Sequence, residues 1–283
     1  MVGDGLHSLQ KVIESHREEE KSVWKYILIG VCVLFLTVML VIPLAVVIIN
    51  ALKDGWTAYK EAVVDRYTLK ALQLTLVVTV LTVLVNTIFG VCASVLLSKF
   101  YFWGRQILAA LIDIPFSVSP VIAGLLFILT FGNKGWMGGF LQQHNIKIVF
   151  AAPGIVLATM FVTFPFVFRE LFPVMNAQGK DEEEAAALMR AGGFMIFRKI
   201  TFPHIKWALL YGIILCTARA MGEFGAVSVV SGHLRGKTNT LPLHVEILYN
   251  EFHSTEAFAV SSILVILAVA LLILRSFVEW KRK

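Results

Sequence analysis

The stretch YILIGVCVLFLTVMLVIPLAVVIIN, residues 26–50, contains no charged residue along its whole length. A helix needs roughly 20 apolar residues to cross the hydrocarbon core of a bilayer, because no water is present there to pair with backbone groups. The run is also too long for the apolar part of a cleaved signal peptide. The stretch therefore predicts a transmembrane helix that stays in the protein.

Composition extends this prediction to most of the chain. Apolar residues make up 58 % of the 283 residues and charged residues only 16 %, where soluble domains have about 25 % charged residues. We expect an all-α membrane protein with about six transmembrane helices. The apolar stretches that predict them lie at residues 26–50, 68–97, 107–131, 149–171, 207–230 and 257–278.

Basic residues predict the orientation of these helices. The N-terminal arm, the 98–106 loop, the segment 169–206 and the C-terminal tail together hold twice as many lysine and arginine residues as the three opposite loops. Since such residues concentrate on the cytoplasmic side, both termini should be cytoplasmic. The net charge of +6 then suits a membrane surface; the basic residues are too scattered for a nucleic-acid partner. The predicted divisions are an arm (1–25), a first helix with its periplasmic connection (26–67), a core (68–278) and a tail (279–283).

Two prolines interrupt the third apolar stretch. Pro115 and Pro120 lie in the sequence DIPFSVSP, and each removes a backbone donor and disfavours helix in the residue before it. A kinked or broken span is expected. Its unwound N–H groups, with the hydroxyls of Ser117 and Ser119, could face an anion; a kink filled by neighbouring helices is the alternative.

The fifth stretch contains two opposite charges. Arg219 and Glu223 are spaced i and i+4, so on a continuous helix they can pair, and each alone would be costly in lipid. They form either a structural ion pair, the favoured interpretation, or a site where Arg219 contacts an anion directly. Ala218, Gly222 and Ala226 form a small-residue face that would let another helix approach closely.

The polar segment 173–206 is far longer than a simple connection needs. Gly179 can end the fourth helix, the acidic run from Lys180 to Glu184 can begin a new one, and Gly192 with Gly193 should end it. A second short turn would then lead through Pro203 into the fifth span. The segment is either a short helix for a partner or an ordinary interfacial hairpin.

Residues 184–203 resemble a known family motif. Glu184-Ala185-Ala186, followed by Ile200-Thr201-Phe202-Pro203, is similar to the EAA loop of ABC-importer permeases, which reads E-A-A, a glycine four residues after the second alanine, and I-x-L-P. Arg190 occupies the glycine position, which leaves the turn geometry open. The resemblance implies a type I ABC-importer permease architecture and a coupling segment that contacts an ATP-binding subunit. Its residues would be Glu184, Ala185, Ala186, Leu188, Met189, Arg190, Gly192, Gly193 and Pro203.

A closer resemblance covers most of the chain from about residue 68. Residues 113–123, 161–175 and 218–232 resemble the W-type permease subunits of bacterial sulfate and thiosulfate transporters. This implies a multi-pass protein of a bacterial inner membrane that passes sulfate and thiosulfate. Its partners would be a paralogous T-type permease, two copies of an ATP-binding subunit, a periplasmic sulfate-binding protein and membrane lipid. A permease for another tetrahedral oxyanion such as molybdate is the alternative, and an ion-coupled secondary transporter is a more distant one.

Catalytic and metal-binding patterns are missing from the sequence. Gly232-His233-Leu234-Arg235-Gly236-Lys237-Thr238 is one residue short of a phosphate-binding loop, so ATP and magnesium are expected on a partner ATPase and no cofactor on this chain. The three cysteines form no CxxC pair. His233, His244 and His253 have no metal-ligand spacing and are expected at the surface. The chain is predicted to be a non-catalytic transport subunit without a metal.

Overall fold

The computed structural model describes residues 24–282, with side chains for 24–279, and the regular structure in this range is helical. Most of the predicted N-terminal arm, residues 1–23, lies outside the described residues, as does Lys283. The chain divides into two units, residues 1–50 and 51–283. Helix α1 (Trp24–Ala51) belongs to the first unit except for its last residue, Ala51, and contains a π-turn at Thr37–Val41.

The second unit contains the remaining helices. They are α2 (Gly55–Val64), α3 (Arg66–Lys99), α4 (Arg105–Ser117), α5 (Pro120–Phe131), α6 (Gly138–Gln143), α7 (Ala152–Gln178), α8 (Asp181–Leu188), α9 (Gly193–Met221), α10 (Gly225–Val230), α11 (Leu241–Asn250) and α12 (Ser254–Arg282). Because α12 continues to Arg282, the predicted tail is largely a continuation of the last helix.

The number of membrane-spanning helices agrees with the sequence. Within residues 24–282, five helices are long and apolar enough to cross a membrane: α1, α3, α7, α9 and α12. The pair α4 and α5 meets the same criteria jointly but is bent by 108°, so six spans result if the pair counts as one. Val118 and Ser119 are extended between them (ψ 129° and 135°), as expected before a proline. The predicted break in the third span is confirmed at Val118 and Ser119, whereas Pro115 lies inside α4 and does not interrupt it.

The fifth span differs from the prediction. Helix α9 begins at Gly193, runs without interruption past Pro203, and ends at Met221, so the predicted second short turn is part of a 29-residue helix. Residues 222–224 separate α9 from α10, and the predicted span 207–230 is therefore divided. Arg219 and Glu223 lie on either side of a helix end.

Small residues let the central helices approach closely. A Cβ placed on Gly90 of α3 would lie 2.8 Å from Val167 of α7, and one on Gly212 of α9 would lie 3.2 Å from the Cα of the same valine. Asn86 of α3 also donates to the carbonyl of Met160 and to the hydroxyl of Thr163, both on α7. Helices α3, α7 and α9 thus form the tightly packed centre of the second unit.

The two interrupted spans meet at their breaks. A Cβ on Gly225, at the start of α10, would lie 3.0 Å from the Cβ of Pro120, at the start of α5. One turn further on, a Cβ on Gly124 would lie 2.8 Å from the carbonyl oxygen of Ala226. The close approach predicted for the small-residue face therefore exists within the chain at Ala226, whereas Ala218 and Gly222 are exposed.

His244 is buried, which corrects the prediction that it lies at the surface. It is only 3 % exposed, and its Nε2 lies 3.2 Å from the hydroxyl of Thr68. A leucine-rich cluster on α3, α11 and α12 surrounds this part of α11. Burial lowers the pKa of His244 below the ordinary 6.5, and the nearby Arg235 lowers it further. His233 and His253 are exposed, as predicted.

This burial predicts a loss of stability in acid. The folded chain favours neutral His244. Its contribution to the stability of the fold is therefore complete above pH 6.5 and is lost as the pH falls through the lowered pKa of the folded state. We expect the apparent melting temperature in detergent to fall below pH 6.5, and to fall less steeply in His244→Gln. His233→Gln, at an exposed position, should keep the native slope. Identical slopes in all three proteins would contradict the assignment.

Candidate coupling segment and transport pathway

Helix α8 is a short acidic helix between two membrane spans. Gly179, with φ of +74°, ends α7, and α8 begins two residues later. Its first turn consists of Asp181, Glu182, Glu183 and Glu184, whose charges are favourable at the positive end of the helix dipole. The predicted start of the short acidic helix is confirmed, whereas residues 173–178 of the predicted polar segment belong to α7.

The end of α8 is set by Arg190. The Arg190 N–H donates to the carbonyl of Ala187, and the Ala191 N–H donates to that of Ala186, which is the Schellman pattern. This pattern needs a left-handed residue, and Arg190 has φ of +63°. The prediction that Gly192 and Gly193 end the helix is wrong: Gly192 has φ of −70°, and Gly193 begins α9. A left-handed residue at this position explains why the family motif has glycine there.

A glycine at position 190 should stabilise this turn. A residue with a Cβ loses about 1–2 kcal/mol in the left-handed region, so Arg190→Gly should recover about 1 kcal/mol or less. We expect slower proteolysis between α8 and α9 and an apparent melting temperature that is equal or slightly higher. Ala191→Gly is the matched control, because position 191 has no positive φ, and it should give no gain. Faster cleavage in Arg190→Gly would contradict this account.

Glu183 attaches α8 to the ends of two spans. Its carboxylate lies 3.0 Å from Nζ of Lys99, the last residue of α3, and accepts a 2.6 Å hydrogen bond from Thr201 of α9. The Lys99 and Glu183 side chains are 8 % and 16 % exposed, so solvent screens this pair weakly. Lys99 also donates to the carbonyl of Gly179 at 2.6 Å, which ties in the end of α7.

The opposite side of α8 is free of contacts with the described part of the chain. Leu188 and Met189 are 87 % and 85 % exposed, and Glu184 and Arg190 are exposed beside them. Ala185 is also exposed, whereas Ala186 is partly buried. The sequence-predicted coupling residues Glu184, Leu188, Met189 and Arg190 therefore lie together on one outward surface, which we call the α8 outer surface.

Pro203 lies inside α9 and not at its beginning. Proline has no N–H for the preceding turn, and the π-turn at Phe197–Thr201 directly before it changes the hydrogen-bond register. The helix continues from the α8 turn at Gly193 to the break at Gly222. Pro203 is thus a structural residue of the connection and is not on the α8 outer surface.

Arg219 and Glu223 do form an ion pair, across the end of α9. Nη1 of Arg219 lies 2.6 Å from Oε2 of Glu223, and the other carboxylate oxygen accepts the Ala226 N–H at 2.8 Å. The Glu223 side chain is 1 % exposed and that of Arg219 33 %. The glutamate therefore fixes the start of α10, and only the arginine reaches a surface.

Ser117 and Ser119 lie at the break between α4 and α5, where Pro120 lies beside Gly225, two residues after Glu223. Both are exposed, and neither hydroxyl has a hydrogen-bond partner among the described residues. Because Pro120 contacts the start of α10, the structure brings the two sequence-predicted pathway elements together. Within residues 24–282, no group of three histidine, cysteine, aspartate or glutamate side chains is placed to hold a metal ion.

Sequence reasoning missed three functional candidates. Lys99 and Thr201 hold Glu183, and Arg169 of α7 pairs with Asp113 of α4. Arg169 was counted with the polar segment 169–206, but α7 continues to Gln178. No local pattern indicates pairs separated by this many residues, although a lone arginine inside an apolar run is itself a signal.

Comparison with known proteins identifies the family. Residues 86–280 match the family model described as the binding-protein-dependent transport system inner membrane component. The chain is 45 % identical, over 91 % of its length and 88 % of the relative, to the sulfate transport system permease protein CysW of Escherichia coli K12. It is 34 % identical, over 88 % of its length and 89 % of the relative, to the sulfate transport system permease protein CysT of Salmonella typhimurium.

The fold agrees with this relationship. A crystal structure of a bacterial ABC transporter involved in the import of the acidic polysaccharide alginate superposes with a TM-score of 0.77 at 13 % identity, over 94 % of this chain and 96 % of that one. This chain is thus an integral inner-membrane protein with the fold of an ABC-transporter permease. It belongs to the family of inner-membrane components of binding-protein-dependent transport systems.

Proposed function

We propose that this chain is the permease subunit of an ATP-driven importer that passes sulfate, and also thiosulfate, through a bacterial inner membrane. The observation that carries the proposal is the 45 % identity to a sulfate transport permease over nearly the whole chain. Leu188 and Met189 of the α8 outer surface support the proposal that a separate subunit drives the importer with ATP. Exposed apolar residues at a membrane face favour contact with a protein partner. Another tetrahedral oxyanion such as molybdate is the remaining alternative for the substrate.

The proposed complex supplies what this chain lacks. ATP and magnesium are held by two copies of a separate ATP-binding subunit, and the chain itself binds no cofactor. A paralogous T-type permease completes the membrane part, and a periplasmic sulfate-binding protein delivers the anion. The family description, which names binding-protein-dependent transport, supports the last of these partners. Both termini face the cytoplasm in this arrangement, which places α8 on the ATPase side.

The contacts of Glu183 give a physical route for coupling. When the ATP-binding subunits close, they displace α8 through the α8 outer surface. Glu183 transmits that displacement to α3 through Lys99 and to α9 through Thr201, and the backbone transmits it to α7 through Gly179. The three spans that form the packed centre are therefore moved together, and the pathway alternates between inward-open and outward-open states.

The adjacent breaks are the proposed pathway. Ser117 and Ser119 offer hydroxyl donors at an exposed break, and Arg219 offers a partly exposed guanidinium near α10. Glu223 has a structural role in this proposal. Its carboxylate is buried, pairs with Arg219 and accepts a hydrogen bond from the Ala226 N–H. Weak contacts suit a conduit, since an anion must leave as readily as it enters.

Uptake of labelled sulfate tests the proposal directly. Cells lacking the chain receive the native sequence or Glu184→Lys, which reverses an exposed charge on the α8 outer surface. ATP-dependent uptake should return with the native chain only, should be reduced by excess thiosulfate and should resist excess molybdate. Glu61→Lys, an exposed glutamate on α2, is the control and should restore uptake and retain the ATPase.

Two results would overturn the proposal. If uptake of sulfate never depends on the chain, the substrate assignment fails. If Glu184→Lys transports like the native chain and still co-purifies with the ATPase, α8 is not the coupling element.

A further inference from the structure

The ion pair between Asp113 of α4 and Arg169 of α7 is not buried. Nε of Arg169 lies 2.8 Å from Oδ1 of Asp113, and the two side chains are 48 % and 46 % exposed. The guanidinium carbon of Arg169 lies over the Phe116 ring, 3.9 Å from its centre, which keeps the group beside α4. Ser117, with its free hydroxyl, follows Asp113 by one helical turn.

The position of this pair along the helices places it at membrane depth. Arg169 precedes the end of α7 by nine residues and Asp113 follows the start of α4 by eight, about 12–13 Å of helix in each case. The end of α7 and the start of α4 lie at the same level, because Lys180, which follows α7, and Arg105, the first residue of α4, both contact the ring of Tyr101. The neighbouring exposed Trp103 suits the headgroup layer, which is only about 5–8 Å deep.

Lipid is a poor neighbour for such a pair. Charged side chains at membrane depth face protein or water, and half-exposed ones are not satisfied by hydrocarbon. This surface of α4 and α7 is also continuous in sequence with the break at Ser117 to Pro120, where the proposed pathway lies. The pair therefore borders the same aqueous route.

The hydrogen bond from Nε of Arg169 to Asp113 leaves the Nη1 and Nη2 edge of the guanidinium unoccupied by the described residues. Asp113 accepts from Nε only, and among the described residues Nη1 and Nη2 have no hydrogen-bond partner. Two parallel N–H donors in one plane match an oxyanion, and a guanidinium held over an aromatic ring by a cation–π contact is already restricted in its position. Arg219 differs, because its Nη1 is already held by a buried carboxylate.

The geometry points to Arg169 as a residue that contacts the transported oxyanion, with Asp113 and Phe116 as its positioning residues. Asp113 orients the guanidinium and offsets its charge, so that the anion is bound weakly enough to leave. This inference rests on the proposed function, since it names a contact for that substrate within the same pathway.

The test uses the complete complex in proteoliposomes with its binding protein, and measures initial rates of labelled sulfate uptake. Arg169→Gln should lower the maximal rate by about 10- to 100-fold, the loss expected for charged hydrogen bonds made during passage. The sulfate concentration at half-maximal rate should stay unchanged, since the binding protein sets it. Assembly and ATP hydrolysis without binding protein should also stay native.

A charge exchange separates contact from structure. Asp113→Arg combined with Arg169→Asp keeps an ion pair between the same helices but moves the guanidinium to α4. If Arg169 contacts the anion, the rate stays low; a return to the native rate would show a structural pair and overturn the inference. Arg275→Gln, which removes an arginine from a comparably exposed pair with Glu279, is the control and should transport normally.

The remaining outcomes are also decisive. A native rate in Arg169→Gln overturns the inference while leaving the proposed function intact, whereas absent uptake with the native chain refutes the proposed function itself. If Arg169→Gln does not assemble, Arg169→Lys takes its place. A lowered rate in the assembled lysine variant supports the paired-donor contact, and a native rate overturns it.

Discussion

Replacing Leu188 and Met189 together by aspartate is expected to remove the ATP-binding subunits from the purified complex and to abolish ATP-driven uptake. Both side chains are more than four-fifths exposed, so they contribute little to the fold of this chain. Apolar anchors at the centre of an interface contribute about 2 kcal/mol or more each, which is roughly 30-fold in affinity per residue. Co-purification of the ATPase with the tagged permease measures the effect.

The control for this substitution is Phe252→Asp. Phe252 is 94 % exposed and follows α11, and it has no place on the α8 outer surface. It should retain the ATPase in native amount. The aspartate pair should still appear in the membrane at the native level. An ATPase that remains bound to the double variant would remove α8 from the coupling interface.

Arg219→Gln is expected to destabilise the permease by about 3–5 kcal/mol, because it leaves a buried carboxylate without its cation. Glu223 is almost wholly enclosed and its other oxygen already accepts the Ala226 N–H, so the shorter glutamine leaves a buried charge without a cation. We expect a large fall in the yield of assembled complex and in the apparent melting temperature.

Adding Glu223→Gln to that variant should recover part of the loss. The amide is uncharged, so no buried charge is left without a partner. Its oxygen can still accept a hydrogen bond from the Ala226 N–H at the start of α10. Assembly and competition by molybdate are measured on both variants. Normal assembly of Arg219→Gln with an altered choice between sulfate and molybdate would contradict a structural pair and would favour direct contact with the anion.

Local signals predicted the spans and their interruption. The length of an apolar run can be read from one segment of sequence, and Pro120 restricts the backbone of the residue before it. Both the spans and the bend near Ser119 were therefore predictable. The acidic start of α8 was predictable for the same reason. The end of α8 was not, because the sequence offers two glycines while the turn uses Arg190.

Long-range contacts were beyond such signals. Glu183 and not Glu184 binds Lys99, and nothing in the run of three glutamates distinguishes the inward one. Asp113 and Arg169 meet only because α4 and α7 pack side by side. The helix end at Met221 was also missed, since residues 219–230 remain apolar enough for a continuous span and the break depends on how Glu223 is buried.

Helix α9 joins the α8 turn to the break at Gly222 as one rod. Its 29 residues extend over about 43 Å. A tilt of about 10° about the Gly193 end would displace the Met221 end sideways by about 7 Å, given that length. In the proposed function, a small tilt at the α8 end of this helix would therefore become a larger displacement at the break near Gly222, enough to open a passage for a small anion without unfolding a span.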